Sequence, residues 1–213
     1  MIQIPKKIHQ IWIGNHPIPE HCAKFAKEMQ EMHPDWEYKL WGHDEIFNDL
    51  YKDDEFIQYY IQDPDLYKYA FICDRIRLLL LRDFGGVYCD LDCKPIKSFN
   101  TVRDGLTDKI SFFCGMKPSQ DNNTLMDCTV YGSAPNSRMV QELLSCYHRK
   151  EWAHGCKTFN NKIIQTIDDD VAVFGFEYFY GWKITDKAVV LHDVEETRLF
   201  SWVEEQEGFK KEL

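Results

Sequence analysis

A segment that reads as a helix, a double glycine and a short strand carrying two aspartates constrains this chain more than any other feature. It runs from Ala70 to Asp92 and ends in Gly-Gly-Val-Tyr-Cys-Asp-Leu-Asp. Successive side chains of a strand alternate between its faces, so we expect Asp90 and Asp92 to point the same way, about 7 Å apart. Two such carboxylates can share a hard divalent cation, Mn²⁺ or Mg²⁺. The pattern predicts a metal site for a diphosphate, as a nucleotide-sugar enzyme requires.

The residues around the aspartates predict how the site is supported. Asp63 is a good N-cap, and Gly85-Gly86 supply a left-handed stop, so a helix over 64–84 and a strand over 86–92 are expected. Asp74 and Arg77 are three residues apart and share a face of that helix. One strand face is predicted to be apolar and buried (Val87, Cys89, Leu91, Cys93), and the other to line a cleft (Tyr88, Asp90, Asp92).

The joint pattern of Asp-x-x-Arg, an apolar run, Gly-Gly-x-Tyr and Asp-x-Asp resembles glycosyltransferase family 32. It is more distantly similar to the glucosylating domains of large clostridial toxins. Further matching segments are 4–14 and 34–41, with a weaker match from His192 to Ser201-Trp202. The resemblance implies an α/β fold in one GT-A domain over residues 1–213, with a mainly parallel central sheet flanked by helices. We expect this domain to be either the whole protein or one domain of a longer parent.

The resemblance also implies how a nucleotide-sugar donor is bound. Trp12, at the end of the first strand, would stack on the nucleobase. Asp74 would hydrogen-bond the nucleoside or the donor sugar, and Arg77 would face the sugar or the phosphates. Ser201 and Trp202 would close over the diphosphate.

A metal shell follows from the same resemblance. Asp90 and Asp92 would bind the donor ribose and a Mn²⁺ or Mg²⁺ ion, and His192 would complete the shell. Both aspartates would act in catalysis together with Asp74 and Arg77.

The predicted activity is metal-dependent transfer of a sugar, with retention of configuration, to a hydroxyl acceptor in glycan or polysaccharide synthesis. Resemblance to bacterial and toxin members favours a UDP-sugar donor over GDP-mannose. Outside the motif, only Glu177 and Asp193 are candidate covalent nucleophiles, so front-face attack is expected. The alternatives are a mannosyltransferase that uses GDP-mannose, a nucleotide-sugar or carbohydrate-binding module without turnover, and a metal-dependent hydrolase.

Charge and composition exclude other classes. A net charge of −10 argues against general nucleic-acid binding, which requires a basic face. Neither a signal peptide nor an apolar run long enough for a membrane span is evident, and the eight cysteines form no Cys-x-x-Cys pair. On an extended strand Cys89 and Cys93 would lie about 13 Å apart, too far to bridge. Buried free thiols favour a cytoplasmic location.

The remaining pattern is that of alternating strands and helices in one nucleotide-binding domain. Helices are expected at 20–32, 44–62 and 136–149. Strands are expected at 4–13, 37–41, 110–116, 129–133, 171–180 and 189–192. A polar loop over 118–123 follows the metal strand and would face an acceptor.

Overall fold

The computed structural model describes residues 4–14, 16–64, 68–118, 124–146, 155–180 and 184–192. The strands are β1 (Lys7–Ile11), β2 (Glu37–Trp41), β3 (Gly86–Cys89), β4 (Lys94–Pro95), β5 (Phe112–Pro118), β6 (Thr124–Ser133), β7 (Val171–Phe174) and β8 (Val190–Leu191). The helices are α1 (Glu20–Met32), α2 (Glu55–Ile61), α3 (Lys68–Phe84), α4 (Asn100–Arg103), α5 (Arg138–Leu144), α6 (Gly155–Thr166) and α7 (Phe176–Phe179). A π-helical segment, Glu45–Leu50, precedes α2.

Six strands form the central sheet in the order β2-β1-β3-β6-β5-β7. The pairs β1–β2, β1–β3 and β5–β7 are parallel, whereas β6 runs antiparallel to both β3 and β5. Three of the five pairings are therefore parallel, which agrees with the predicted, mainly parallel sheet. The carboxyl ends of β1, β2 and β3 meet at one edge, where ligands of open α/β sheets bind.

Apolar side chains cover both faces of this sheet. Neighbouring residues of β5 show the division, because Phe112 packs with α3, α5 and α6, whereas Phe113 packs with α7 and β8. The strand β3 is buried along its whole length. A buried strand with cover on both faces is typical of the parallel part of an α/β sheet. Among the described residues, no helix has the length and apolar character that crossing a bilayer requires.

The double glycine joins α3 to β3, as the sequence predicts. Gly85 and Gly86 have φ angles of 62° and 100°, a region that side chains rarely adopt. A Cβ on Gly86 would lie 2.6 Å from the Lys7 carbonyl oxygen. Any larger residue at this position would push β3 away from β1, so the close approach of the two strands requires glycine.

A second, two-stranded sheet has a direct bearing on the site. β4 follows the second aspartate of the motif almost at once, and β8 immediately precedes His192. The two strands are antiparallel, with Lys94 opposite Leu191 and Pro95 opposite Val190. This register brings His192 back to the Asp-x-Asp motif.

Three expected elements are shorter or broken. The motif strand ends at Cys89 rather than residue 92, because the chain turns at the aspartates. The helix expected over 44–62 is split, since Asp54 caps α2 by accepting a hydrogen bond from the Ile57 amide. Only the first half of the aromatic segment 171–180 is a strand, and α7 begins after Gly175.

The helix boundaries differ in two further places. Ser137 is the N-cap of α5, so this helix begins after the expected Asn136, whose φ is positive at 55°. The motif helix is observed from Lys68, and the residues between Pro64 and Lys68 lie outside the described ranges, as does most of the loop expected over 118–123. The helix α6 was not predicted.

Candidate active site

The Asp-x-Asp motif forms a turn at the carboxyl end of β3. The Asp90 amide donates to the Thr129 carbonyl of β6 (3.0 Å), and the Cys93 amide closes the turn on the Asp90 carbonyl (3.2 Å). The side chain of Gln10, fully buried under the turn, donates to the same carbonyl at 3.2 Å. The two carboxylates thus converge as predicted, but a turn rather than strand alternation brings them together.

His192 completes a cluster with these two aspartates. One potential ligand atom from each of Asp90, Asp92 and His192 lies within 4.8 Å of the others. His192 Nε2 lies 3.6 Å from Asp92 Oδ2. Asp92 Oδ1 and His192 Nδ1 are buried without a hydrogen-bond partner among the described residues. Two carboxylates and an imidazole with free lone pairs are a donor set that suits Mn²⁺ or Mg²⁺, so the residues present fit the predicted metal.

Electrostatics couples the members of this cluster. Burial would raise the pKa of Asp92, but the neighbouring imidazole lowers it below its usual range. Burial would lower the pKa of His192, but the Asp92 carboxylate outweighs it and raises the pKa to about 9. Metal ligation requires the neutral imidazole, so a metal ion would displace that proton.

Arg77 of α3 is the buried cation beneath the motif. Its guanidinium lies 2.7 Å from Asp74 Oδ1 and 3.5 Å from Asp90 Oδ1, and Nη1 donates to the Cys128 carbonyl at 2.5 Å. The guanidinium carbon also stacks 4.7 Å from the centre of the Tyr88 ring. The predicted Asp74–Arg77 pair is therefore formed, and it connects α3 to β3 and β6.

The carboxylates around Arg77 are destabilised by burial. Burial raises the pKa of Asp74, with Arg77 and then Lys117 acting against it. Burial also raises the pKa of Asp90, which Arg77 partly offsets. Tyr88 donates its hydroxyl to Asp90 Oδ1 at 2.5 Å and stabilises the carboxylate. Tyr88 is itself core-buried at 3% exposure rather than facing a cleft as predicted.

Trp12 follows β1 directly, at the sheet edge where the aspartates lie. Its backbone amide donates to the Trp41 carbonyl, and its ring nitrogen donates to the His16 carbonyl at 2.9 Å. The half-buried ring packs against the small cluster that contains Leu91, the residue between the two aspartates. This position leaves part of the ring accessible beside the motif.

Other predicted residues do not join the site. Ser201, Trp202 and Asp193 lie outside the described residues. Glu177 lies in the first turn of α7 and forms an ion pair with Lys187 at 3.1 Å. The same pairing lowers the pKa of Glu177, after the larger effect of a hydrogen bond from its own backbone.

The turn also changes the relation between two cysteines. Cys89 and Cys93 are both free and fully buried, and their side chains are in hydrogen-bond contact rather than about 13 Å apart. The reason is that the chain reverses direction after Cys89 instead of continuing as a strand. The expectation that both thiols are buried and reduced agrees with the structure.

Two strongly buried residues near the site were missed. Gln10 and Asp127 lie on β1 and β6, and both are polar side chains with at most 1% exposure. Gln10 accepts a hydrogen bond from Tyr38 (2.7 Å) while it supports the Asp90 carbonyl. Polar residues inside otherwise apolar strands are the signal that could have identified them, because they are buried only with a partner.

A family comparison agrees with this geometry. Residues 19–108 match the model of the glycosyltransferase sugar-binding region containing the DXD motif. This segment includes α1, α3 and both motif aspartates. The predicted resemblance to glycosyltransferase family 32 is thereby confirmed.

Solved structures share the fold at low sequence identity. PaToxG glycosyltransferase superposes with a TM-score of 0.61 at 22% identity, covering 77% of this chain and 70% of that chain. A glycosyltransferase involved in glycosylation of the major capsid of PBCV-1 superposes with a TM-score of 0.52 at 11% identity, covering 95% of this chain and 98% of that chain. The catalytic domain of alpha-toxin from Clostridium novyi superposes with a TM-score of 0.50 at 10% identity, covering 79% of this chain and 65% of that chain.

The fold is of the GT-A type, and residues 19–108 match the DXD-containing sugar-binding region of glycosyltransferases. Over part of its length the chain is also similar to fungal proteins. It is 38% identical over 90 residues to inositol phosphoceramide mannosyltransferase 3 of Schizosaccharomyces pombe, covering 42% of this chain and 24% of the relative. It is 36% identical over 152 residues to mannosyl phosphorylinositol ceramide synthase CSH1 of Saccharomyces cerevisiae, covering 70% of this chain and 37% of the relative. The matches thus span well under half of these relatives.

Proposed function

We propose that this domain is a metal-dependent glycosyltransferase that moves a hexosyl group from a nucleotide-sugar donor to a hydroxyl acceptor. The observation that carries the proposal is the convergence of Asp90, Asp92 and His192 beside the buried Asp74–Arg77 pair. This convergence lies at the carboxyl ends of the strands, in a chain that carries the DXD region.

The cluster supports a divalent cation as cofactor. Asp90, Asp92 and His192 would hold Mn²⁺, or Mg²⁺ in its place. When bound, the metal would neutralise the diphosphate leaving group of the donor. Within the protein, Tyr88 and Gln10 keep the Asp90 side chain and carbonyl fixed, so the ligands are held before the ion arrives.

The other residues would orient the donor. Arg77 supplies fixed positive potential under the diphosphate, and its ion pair holds the Asp74 carboxylate toward the donor sugar. Trp12, half-buried beside the motif, would stack on the base. Ser201 and Trp202 would close over the diphosphate, a role inferred from the family resemblance alone.

Retention of configuration is part of the proposal. Glu177 pairs with Lys187, so it is not placed as a covalent nucleophile, and Asp193 lies outside the described residues. We therefore favour attack by the acceptor hydroxyl on the same face as the departing diphosphate, whose oxygen takes the acceptor proton. Positioning and electrostatic stabilisation would supply most of the rate acceleration.

The donor nucleotide has two candidates. The family resemblance favours a UDP-sugar. The names of the fungal relatives favour mannosyl transfer, for which GDP-mannose is the activated donor. The acceptor is proposed only as a hydroxyl compound in glycan or polysaccharide synthesis, and a cytoplasmic location remains an expectation from the sequence.

Calorimetric titration tests the proposal and decides between the donors. UDP, GDP, UDP-glucose and GDP-mannose are each titrated with Mn²⁺ and with a chelator. We expect one nucleotide family to bind only with the metal, and Asp92→Ala to abolish that binding. Asp53→Ala is the matched control, because Asp53 is an exposed aspartate in the turn before α2. Equal binding in chelator, or by folded Asp92→Ala, would contradict the metal proposal.

Turnover separates the enzyme from a binding module. We expect slow release of free sugar from the bound nucleotide sugar in the presence of Mn²⁺, since water can replace the acceptor. Tight binding with no hydrolysis and no transfer to any tested hydroxyl acceptor would instead favour the module. Product analysis by NMR, starting from an α-linked donor, is expected to show an α-linked product.

A further inference from the structure

A histidine outside the metal cluster lies at the sheet edge beside Trp12. His43 follows β2, and its Nδ1 lies 3.3 Å from the backbone nitrogen of Gly14, two residues after Trp12. A backbone amide only donates, so Nδ1 accepts this hydrogen bond, and the ring is neutral with its proton on Nε2. The proposed mechanism gives His43 no role.

The His43 side chain replaces a backbone acceptor at the point where β1 and β2 separate. Ile11 lies opposite Trp41, and the Trp12 amide donates to the Trp41 carbonyl at 3.0 Å. In a continued parallel ladder, the Gly14 amide would donate to the carbonyl of residue 43. The chain instead enters a helical turn at His43, and the imidazole accepts the bond. The two segments are thereby held together beyond the end of the sheet.

The imidazole is itself fixed by the core. Its ring centre lies 4.4 Å from that of Phe47, which is 8% exposed. Phe47 belongs to the same core cluster as Ile13, the residue between Trp12 and Gly14. Packing against this cluster keeps the acceptor nitrogen in place before any ligand binds.

The bond to Gly14 supports the turn that orients the Trp12 ring. Gly14 has a φ of 112°, a backbone conformation that favours glycine, and the chain bends there. Beyond the bend, the His16 carbonyl accepts a hydrogen bond from the Trp12 ring nitrogen at 2.9 Å. Without the His43 acceptor, the Gly14 amide would lose its partner, and the turn that brings His16 to the ring would lose a tether.

We propose that His43 is a positioning residue for nucleobase binding, which acts through the Gly14 amide to hold the Trp12 ring in the orientation that stacks on the base. This inference rests on the proposed function, because it assumes that Trp12 binds the base of a nucleotide-sugar donor. The two residues have separate tasks, since Trp12 contacts the base and His43 fixes Trp12. The contacts of the diphosphate with the metal cluster do not depend on His43.

Two substitutions separate the acceptor nitrogen from the ring. His43→Phe keeps an aromatic ring against Phe47 and removes Nδ1. His43→Asn removes the ring and keeps an acceptor close to the position of Nδ1. His43→Ala removes both and is the second variant without an acceptor. Each protein is titrated with UDP, GDP and inorganic pyrophosphate in the presence of Mn²⁺, and pyrophosphate is the ligand that lacks a base.

The expected result is a loss confined to the ligands that carry a base. We expect His43→Phe and His43→Ala to bind the preferred nucleoside diphosphate about 3- to 10-fold more weakly, the scale of one hydrogen bond. Affinity for pyrophosphate should stay within about twofold, because the metal cluster is separate from this turn. His43→Asn should retain the wild-type affinity for the nucleotide.

A double-mutant cycle with Trp12→Ala tests whether His43 acts through the ring. In the Trp12→Ala background, His43→Phe should cause no further loss of nucleotide affinity, because no ring remains to be oriented. The same loss in both backgrounds would show that His43 acts independently of Trp12 and would overturn the proposal.

Three other outcomes would also overturn the role of His43 alone. They are an equal loss of pyrophosphate affinity, a loss in His43→Asn as large as that in His43→Phe, and wild-type nucleotide affinity in folded His43→Phe or His43→Ala. A wild-type protein that binds neither nucleotide nor pyrophosphate would instead overturn the proposed function and, with it, this inference.

Discussion

At the scale of single residues, Arg77 connects more of the site than any other described side chain. It is 5% exposed and contacts Asp74, Asp90 and the Cys128 carbonyl. Burial would lower its pKa, but Tyr88 and then the two aspartates raise it well above its usual value. The charge is thus retained because anionic and polar groups surround it, and its removal would deprive two partly buried carboxylates of their strongest counter-ion.

Arg77→Lys is predicted to destabilise the fold and to weaken donor binding together. Lysine keeps the charge but cannot donate from a planar fork to several acceptors at once. We expect a loss of about 2–4 kcal/mol in the free energy of unfolding, near the range for breaking a buried ion pair. Urea unfolding and nucleotide titration measure the two effects.

Arg75→Lys is the control, because Arg75 lies on the same helix and binds Asp54 through two nitrogens away from the motif. It should cost some stability and leave nucleotide affinity unchanged. Equal nucleotide affinity in folded Arg77→Lys would show that Arg77 is structural only.

The residues of the site differ in how far the sequence predicted them. Asp74, Arg77, Asp90, Asp92 and His192 are brought together as predicted, because the motif specifies local spacing and the resemblance adds His192. Gln10 and Asp127 were not predicted, since their burial near the site depends on how the strands of the sheet pair. Those contacts are set by tertiary structure and leave no periodic pattern in the sequence.

At the scale of elements, the short sheet β4–β8 determines where His192 lies. Its two strands contribute two paired positions, and the Ile96 and Lys97 amides add hydrogen bonds to the Val189 carbonyl, so packing must supply the rest of its stability. Val190 of β8 is fully buried against the cluster that includes Cys89 and Phe179. Loss of that packing would give the imidazole more freedom relative to Asp92, and precise ligand placement governs metal affinity.

Val190→Ala is predicted to weaken Mn²⁺ binding, measured by titration of the metal alone. Val140→Ala is the matched control, because Val140 is equally buried on α5, which supplies no residue to the metal cluster. Both should lose about 1–3 kcal/mol of stability through transfer and cavity effects. Only Val190→Ala should lower metal affinity, by several-fold. A similar loss in both variants would attribute the effect to general destabilisation.

Element boundaries were predicted less well than element order. The chain alternates β, α and β as expected from hydrophobic pattern and glycine stops. The motif strand was extended too far, because alternation of apolar residues continues through a turn in Cys-Asp-Leu-Asp-Cys. The aromatic segment after Val171 has strand-like composition, yet Gly175 starts a helix whose Phe179 fills the core.

At the scale of the whole molecule, two buried histidines link separate parts of the fold in their neutral form. His9 Nε2 donates to the Gly85 carbonyl (2.8 Å) while Nδ1 accepts from Trp41. His33 Nδ1 donates to Met29 (2.7 Å) while Nε2 accepts from the Phe99 amide. Each ring therefore uses one nitrogen as acceptor, and protonation would break that bond. Burial lowers the pKa of both histidines.

The stabilisation contributed by His9 and His33 is predicted to fall as the pH decreases below about 6.5. The unfolded chain takes up protons on these histidines near that value, whereas the folded chain does so only at lower pH. The stabilisation is thus present above 6.5 and lost on acidification, by up to about 1.4 kcal/mol per pH unit for each histidine. Urea unfolding from pH 5.5 to 7.5 measures it.

His33→Gln should reduce this pH dependence while it lowers stability throughout. His16→Gln, at an exposed position, should leave the dependence unchanged. An identical slope in wild type and His33→Gln would assign the acid sensitivity to other groups.

The small sheet that carries His192 gives the proposed metal a second effect. Its ligands come from two segments far apart in the chain, which are joined by the two paired positions of β4 and β8 and by the Ile96 and Lys97 amides, both of which donate to the Val189 carbonyl. A metal ion bound to both would close a long loop and act as a reversible cross-link, with the entropy benefit that loop closure brings. The same ion would then have two effects: it would support transfer of the sugar from the donor, and it would help to hold the β8 segment against the Asp-x-Asp turn.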